Sequence, residues 1–154
     1  MSKNTGLRRR IAAVVASTTL LFGAGVATAG TASAGYGCPS GYHCAFSLYT
    51  YSGASHHYFN SDPNFTDDVF DHHAVRGDWG YGFGDTVNDK VSAASNSSTG
   101  GYESHYYRDI NYGGGLAFCV NPGSSIDNFT DMPVDQQNVA SSLLLRGTTS
   151  VHCY

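Results

Sequence analysis

Apolar positions along this chain follow two different patterns. From Ile11 to about Val26 they run almost unbroken, interrupted only by small residues, with Lys3, Arg8, Arg9 and Arg10 in front. Two small-x-small sites follow, Ala27-Thr28-Ala29 and Ala32-Ser33-Ala34. That order of basic, apolar and small residues is the one of a cleavable export signal, and the apolar run is short and glycine-interrupted for a membrane anchor. Cleavage is expected after Ala34, leaving Gly35 as the mature N-terminus. Leu7-Arg8-Arg9-Arg10-Ile11 matches a twin-arginine signal poorly.

Beyond residue 35 the apolar positions come in short aromatic or β-branched runs separated by Gly, Ser, Asn and Asp. No helix-length stretch carries apolar residues at the helical period without a nearby Gly or Pro. Such a text predicts an all-β domain, with strands over Ala45–Tyr49, His56–Phe59, Val91–Ser95, His105–Arg108, Leu116–Val120 and Ser142–Arg146.

The runs repeat. Phe46 is followed, after six residues, by Gly53, and Tyr106, after six residues, by Gly113. Later in each copy Asn88-Asp89-Lys90-Val91-Ser92-Ala93 matches Gln137-Asn138-Val139-Ala140-Ser141-Ser142. Two signatures recurring in one order point to an internal duplication. Gly53 and Asp89 stand 36 positions apart, against 25 for Gly113 and Asn138. The first copy therefore carries an insert, which falls within residues 61–86 and is rich in Asp, His, Gly and aromatics. A long loop on a compact scaffold is a usual seat of function.

Charge changes the list of partners. The chain has a net charge of −4, but residues 1–34 hold four of its eight basic residues and no acidic one, so the exported part stands at −8. Its cations, Arg76, Lys90, Arg108 and Arg146, are scattered singly. So acidic a surface will not track a phosphate backbone, which excludes nucleic acid, and once the signal is removed nothing engages a membrane. Acidity favours solubility, calcium or a basic partner surface instead.

All four cysteines, Cys38, Cys44, Cys119 and Cys153, lie in the exported part. An even count in an oxidising compartment reads as two disulfides, which suits a domain of ~120 residues. Three pairings are open. We favour Cys38–Cys44 with Cys119–Cys153, since the first closes a short loop and leaves the distant pair to each other. A cysteine metal site is disfavoured, because no Cys-x-x-Cys spacing occurs.

An aromatic, six residues and a glycine, followed later by Asn/Asp-Asn/Asp-x-x-Ser/Thr-Ser, resembles the βγ-crystallin Greek-key motif. The resemblance implies two Greek-key motifs forming one sandwich: residues 35–154 as the domain, motif one over about 45–96 with the 61–86 insert, and motif two over about 105–146. The aromatic would pack over the folded first hairpin, the glycine would permit the fold-over, and the later serine would tie the hairpin down. The opening Cys38-Pro39-Ser40-Gly41-Tyr42-His43-Cys44-Ala45-Phe46 is similar to that of secreted actinobacterial proteins grouped with the Streptomyces metalloproteinase inhibitor.

That second resemblance implies a secreted, monomeric, non-enzymatic protein that occludes the cleft of an extracellular peptidase, a metallopeptidase first. In the inhibiting type a Cys-Val bond sits inside a small disulfide loop, and Cys119-Val120 matches the dipeptide. Asn121-Pro122-Gly123 follows where the partner cysteine is expected, which favours an ordinary strand and turn there. The insert offers a second contact in Trp79-Gly80-Tyr81-Gly82-Phe83-Gly84, because flat aromatic side chains such as Trp79 and Tyr81 bind partners at low entropic cost.

Two other functions fit the same text. Calcium-binding crystallins take oxygen ligands from the later signature, here Asp89 and Ser92 in one copy and Asn138 and Ser141 in the other. Ala93 and Gln137 depart from that pattern, so calcium would be an optional stabiliser of an extracellular structural protein, and no cofactor is required. The third function is a small secreted antimicrobial toxin of crystallin fold. Zinc at the histidine pairs His56-His57 and Asp71-His72-His73, near Asp67, Asp68 and Asp78, would have to draw one imidazole from each pair, because strand neighbours face opposite ways. Catalysis finds no motif: there is no Gly-x-Ser-x-Gly elbow, no His-Glu-x-x-His, and a single glutamate, Glu103. The Asn-x-Ser/Thr sequons at Asn64, Asn96 and Asn128 carry no weight in a bacterial export context.

Overall fold

The computed structural model describes residues 34–74, 77, 79–129 and 132–154. The export segment, apart from Ala34, lies outside the described residues, as do Arg76 and Asp78. Seven strands follow in order: β1 His43–Phe46, β2 Ser55–Tyr58, β3 Ala93–Asn96, β4 Glu103–Asp109, β5 Gly113–Val120, β6 Ser125–Ile126 and β7 Ser142–Arg146. The six expected strands are all there, Ser142–Arg146 with the expected ends and the other five with shifted ones, and β6 was not foreseen. Two 3-10 turns, at Tyr49–Tyr51 and Ile110–Tyr112, stand at the hairpin corners.

Two sheets form, ordered β2-β1-β3-β6 and β5-β4-β7. Each motif lends its third strand to the sheet of the other. From the second motif β6 pairs with β3 of the first, Ala94 opposite Ile126. From the first motif Asp62 pairs with Leu143 of β7, each backbone N–H donating to the other's carbonyl at 2.7 Å.

The hairpin corners repeat as closely. Thr50 and Tyr51 in the first motif, Asn111 and Tyr112 in the second, all hold left-handed backbone with φ between 54° and 61°. For side chains with a Cβ that conformation costs on the order of 1 kcal/mol each and persists only when the surroundings enforce it. Here the Thr50 N–H donates to Asp127 O and the Asn111 N–H to Pro63 O, both at 2.7 Å, so each corner is pinned by the exchanged strand of the other motif.

This register corrects the repeat by one residue. Phe46 lies opposite Ala93, and the position opposite the matching Ser142 is Tyr107, not Tyr106. The aromatic corners agree: Phe46 meets Tyr51 edge-on at 5.2 Å and Tyr107 meets Tyr112 edge-on at 6.0 Å. Ser142 is the hairpin tie, its hydroxyl donating to Asp109 O at 2.7 Å and accepting from Tyr112 N at 3.1 Å. In the first motif Ala93 stands in its place and packs with Phe46, Tyr51 and the Cys38 and Cys44 side chains. Phe46 and Tyr106 are both fully buried, but in different clusters, as a one-residue offset on a pleated strand demands.

Cys38–Cys44 and Cys119–Cys153 are the disulfides formed. The second clips the C-terminal segment to β5, where Tyr154 and Asn121 exchange further bonds with Cys119, Cys153 and one another. In the chain-entropy picture the two cross-links contribute about 2.4 and 3.8 kcal/mol.

Between the sheets Tyr106 stacks on Phe118 at 4.5 Å and meets Phe65 edge-on at 6.3 Å, beside Phe129, Val120 and Leu143. Its hydroxyl is buried without a hydrogen-bond partner. An unsatisfied buried hydroxyl costs about 1–3 kcal/mol. Tyr106→Phe keeps the ring and removes that cost, so thermal unfolding of the variant is expected at a higher temperature than that of the parent. A lowered melting temperature would show that the hydroxyl is satisfied in solution.

Candidate functional site

The insert is not a free loop. Phe65, Phe70 and Val87 are fully buried in the inter-sheet core, and the Val69–Thr86 bridge closes the base of the excursion. Phe70 exchanges backbone bonds with Gly84 and Asp85 at 2.9 Å, and His72 pairs with Ser55 along the outer edge of β2. What projects from this base is the aromatic segment: Trp79 is 67% exposed, Tyr81 52% and Phe83 47%.

Its backbone is fixed while its rings are not covered. The Tyr81 carbonyl accepts from Ala54 N at 2.9 Å and from the Ser47 hydroxyl at 3.0 Å. At Gly82, where φ is +77°, a Cβ would lie 2.5 Å from Ser47, so only glycine lets the segment seat this closely. Phe83 stacks on His73 at 4.3 Å, and the same imidazole donates from Nδ1 to Trp79 O at 3.0 Å. Ordering cost is thereby met during folding rather than on binding.

The histidine pairs come together through one carboxylate. Asp71 Oδ1 lies 3.1 Å from His56 Nδ1 and 2.7 Å from His72 Nδ1, and His57 stacks on His72 at 3.8 Å. One imidazole from each pair does meet, as the zinc reading required. Both spend the nitrogen concerned on hydrogen bonds, His56 Nδ1 also donating to Val69 O at 2.8 Å. Burial works against ionisation of Asp71, but the His72 hydrogen bond and the His56 field outweigh it and hold the carboxyl below its usual range.

The remaining expected residues are placed otherwise. Cys119 and Val120 are 1% and 0% exposed within β5, their carbonyls accepting from Tyr154 N and Asn96 Nδ2. Their disulfide partner lies 34 positions away, so no small loop presents that bond. An inhibitory contact at Cys119-Val120 is therefore corrected: strand pairing removes it from solvent. The calcium residues are crossed between motifs, with the Ser141 hydroxyl donating to Asp89 and the Ser92 hydroxyl to Asn138, each at 3.2 Å. His105, Cys119 and Cys153 also cluster, but both sulfurs are committed to the disulfide. The anchors Ser47 and Ala54 escaped sequence reading, since nothing local marks a residue that grips a loop far along the chain, and His73, noted there only for zinc, instead holds the nearby Trp79 carbonyl.

Residues 31–119 match the family model of Peptidase inhibitor family I36. The chain belongs to that family. Membership sets this chain among inhibitors rather than enzymes. The fold has a solved counterpart. A structure described as "Evolution of the eye lens beta-gamma-crystallin domain fold" is 15% identical, with a TM-score of 0.53, covering 73% of this chain and 93% of that one. A βγ-crystallin from an archaeon is 18% identical with a TM-score of 0.45, covering 69% of this chain and 98% of that one. No curated protein matches the chain.

Two imidazoles make this I36 domain acid-sensitive. Burial pushes the His43 pKa down to about 4, and burial with repulsion from His72 takes His57 to about 4, Asp71 opposing. Unfolded, each titrates near ~6.5. The unfolded chain therefore binds more protons within that window, so stability is intact above ~6.5 and drains away as pH falls toward 4. Asp71 and Glu103, both depressed, act below the ordinary carboxylate range, and Asp68, which burial raises, acts in the opposite sense. Melting temperature is expected to drop steadily from neutral pH into the acid window, and His57→Gln to flatten the slope. An unchanged slope in that variant would remove His57 from the account.

Proposed function

We propose that this I36 domain is a secreted, monomeric inhibitor of an extracellular metallopeptidase, and that the Trp79–Gly84 segment enters the enzyme's cleft. The single observation that carries the proposal is a backbone tied at Tyr81 O, Trp79 O and Gly84 N with three aromatic side chains left in solvent. Exposed aromatics on rigid backbone are what binding hot spots are made of. The metallopeptidase target rests on the resemblance of Cys38–Phe46 to the Streptomyces inhibitor. Secretion rests on the N-terminal signal pattern and on two disulfides, which persist in oxidising compartments.

Thermolysin-like and subtilisin-like enzymes titrated with the disulfide-intact protein provide the test. Inhibition of the metalloenzyme is expected at micromolar inhibitor. Trp79→Ala and Tyr81→Ala should each weaken it by ~10- to 30-fold, with the fold unchanged because both side chains are exposed. Unaltered peptidase activity at micromolar excess overturns the proposal. Undiminished inhibition by both variants moves the contact elsewhere.

Calcium finds weaker support. The crossed pairs bring three side-chain oxygens at Asp89 and Ser141 and two at Ser92 and Asn138, whereas Ca²⁺ takes about 6–8. The hollow holding Asp85, Asp89, Ser92 and Asn138 also holds Lys90, whose ammonium pairs with Asp85 at 3.0 Å. A cation there would meet a like charge. In this reading the Ser141–Asp89 and Ser92–Asn138 contacts act as direct links between motifs. Ser141→Ala should then cost ~1 kcal/mol of stability, by the same amount in calcium as in chelator. A loss seen only in calcium would restore the ion.

A further inference from the structure

One end of the sandwich opens into a cavity of about 460 Å³ that shares no residue with the aromatic segment of the insert. That volume falls in the ~300–1,000 Å³ range of small-ligand clefts. Two exposed rings border it, Phe59 at 65% and Tyr102 at 49%. Both are seated on glycine. Phe59 touches the Cβ position of Gly41 at 4.0 Å, and a Cβ on Gly100 would lie 2.7 Å from the Tyr102 ring. Tyr102 is held further through its backbone, its N–H donating to Ser98 Oγ at 3.2 Å and its carbonyl accepting from Asn96 Nδ2 at 2.8 Å.

The polar lining keeps unused hydrogen-bonding capacity. His43, 2% exposed, engages Ser104 Oγ through Nδ1 at 2.6 Å, and its Nε2 has no hydrogen bond among the described residues. Ser61 and Ser98 accept from Leu145 N and Tyr102 N, which leaves each hydroxyl a proton to donate. Asn60 makes no hydrogen bond among the described residues. Among the described residues lining the cavity none is Asp, Glu, Lys or Arg. His43 Nε2, the Asn60 amide and the Ser61 and Ser98 hydroxyls can each take a hydrogen bond from a ligand that enters the cavity.

We propose that this cavity binds a neutral saccharide ring, with one C–H face against Phe59 or Tyr102 and its hydroxyls on Asn60, Ser61, Ser98 and His43 Nε2. The lining chooses the ligand by elimination. An anion would find no cation and a cation no carboxylate. A wholly apolar ligand would strand the hydroxyls, the amide and the imidazole. A sugar presents an apolar face and a ring of donor–acceptor hydroxyls, which is the complement of rings flanking unpaired hydroxyls and an amide. This site stands apart from peptidase inhibition, so either activity could fail without the other.

The test is a ¹⁵N-amide NMR titration of the disulfide-intact protein with maltotriose, laminaritriose and chitotriose, set beside glucuronic acid and phenylalanine amide. Shifts at residues 59–61 and 98–102 are expected with at least one neutral oligosaccharide and not with the acid or the amino-acid amide. Tyr102→Ala and Phe59→Ala, both at exposed positions, should include one that weakens the binding by ~10-fold or more. Absence of shifts with every neutral sugar overturns the proposal. So do shifts produced by glucuronic acid or phenylalanine amide in their place, or undiminished binding in both variants.

Discussion

The domain depends on an exchange: each motif completes the other's sheet. Asp62 reaches across to Leu143, β6 reaches back to Ala94, and the left-handed corners at Thr50 and Asn111 are pinned by the strands so exchanged. At the junction the N–H of Asp89 donates to Ala140 O and that of Asn138 to Val91 O, both at 3.0 Å, which repeats the exchange between equivalent residues. Either motif alone would leave these donors in water and its own corner strained. Long-range pairing of this kind makes stability cooperative and folding slow in proportion to the loops that must close.

The mutual dependence also explains which parts of the fold were legible in the chain. Six strands could be read because each is a short run with apolar or aromatic residues bounded by turn residues. The exchanged third strands could not. Asp62 contributes a single bridge and β6 spans two residues, too little for a period of two to register. The repeat was found one residue out of step for an equally concrete reason. Tyr106 and Tyr107 are adjacent aromatics, and Gly113, Gly114 and Gly115 are adjacent glycines, so spacing alone gives two alignments of equal quality. The pairing of Tyr107 with Ser142 and its edge-on contact with Tyr112 choose between them.

Site residues divided along the same line. Trp79 and Tyr81 stood out in the chain as aromatics set among glycines, and the structure leaves both exposed. Cys119-Val120 looked like an inhibitory bond by resemblance, but a dipeptide carries no information about burial. Val120 faces the inter-sheet core, while Cys119, on the opposite face of β5, is covered by the C-terminal segment to which its disulfide and backbone bind it. The cavity beside His43 had no local signature, since its walls come from segments as distant as Gly41 and Leu145.

The insert shows how a scaffold of this size carries an exposed apolar patch without losing order. Three rings in solvent are a liability for solubility, and a mobile loop would let them collapse onto the surface. Phe65, Phe70 and Val87 prevent this by burying the base of the excursion in the shared core, so the segment begins and ends on fixed points. Gly82 then lets the backbone lie against Ser47, and His73 holds one ring and one carbonyl at once. Buried anchors set the position, glycine sets the path, and the outward rings follow from both. Lengthening the first motif thus adds core as well as surface, which is why the extra residues extend the sandwich rather than hang from it.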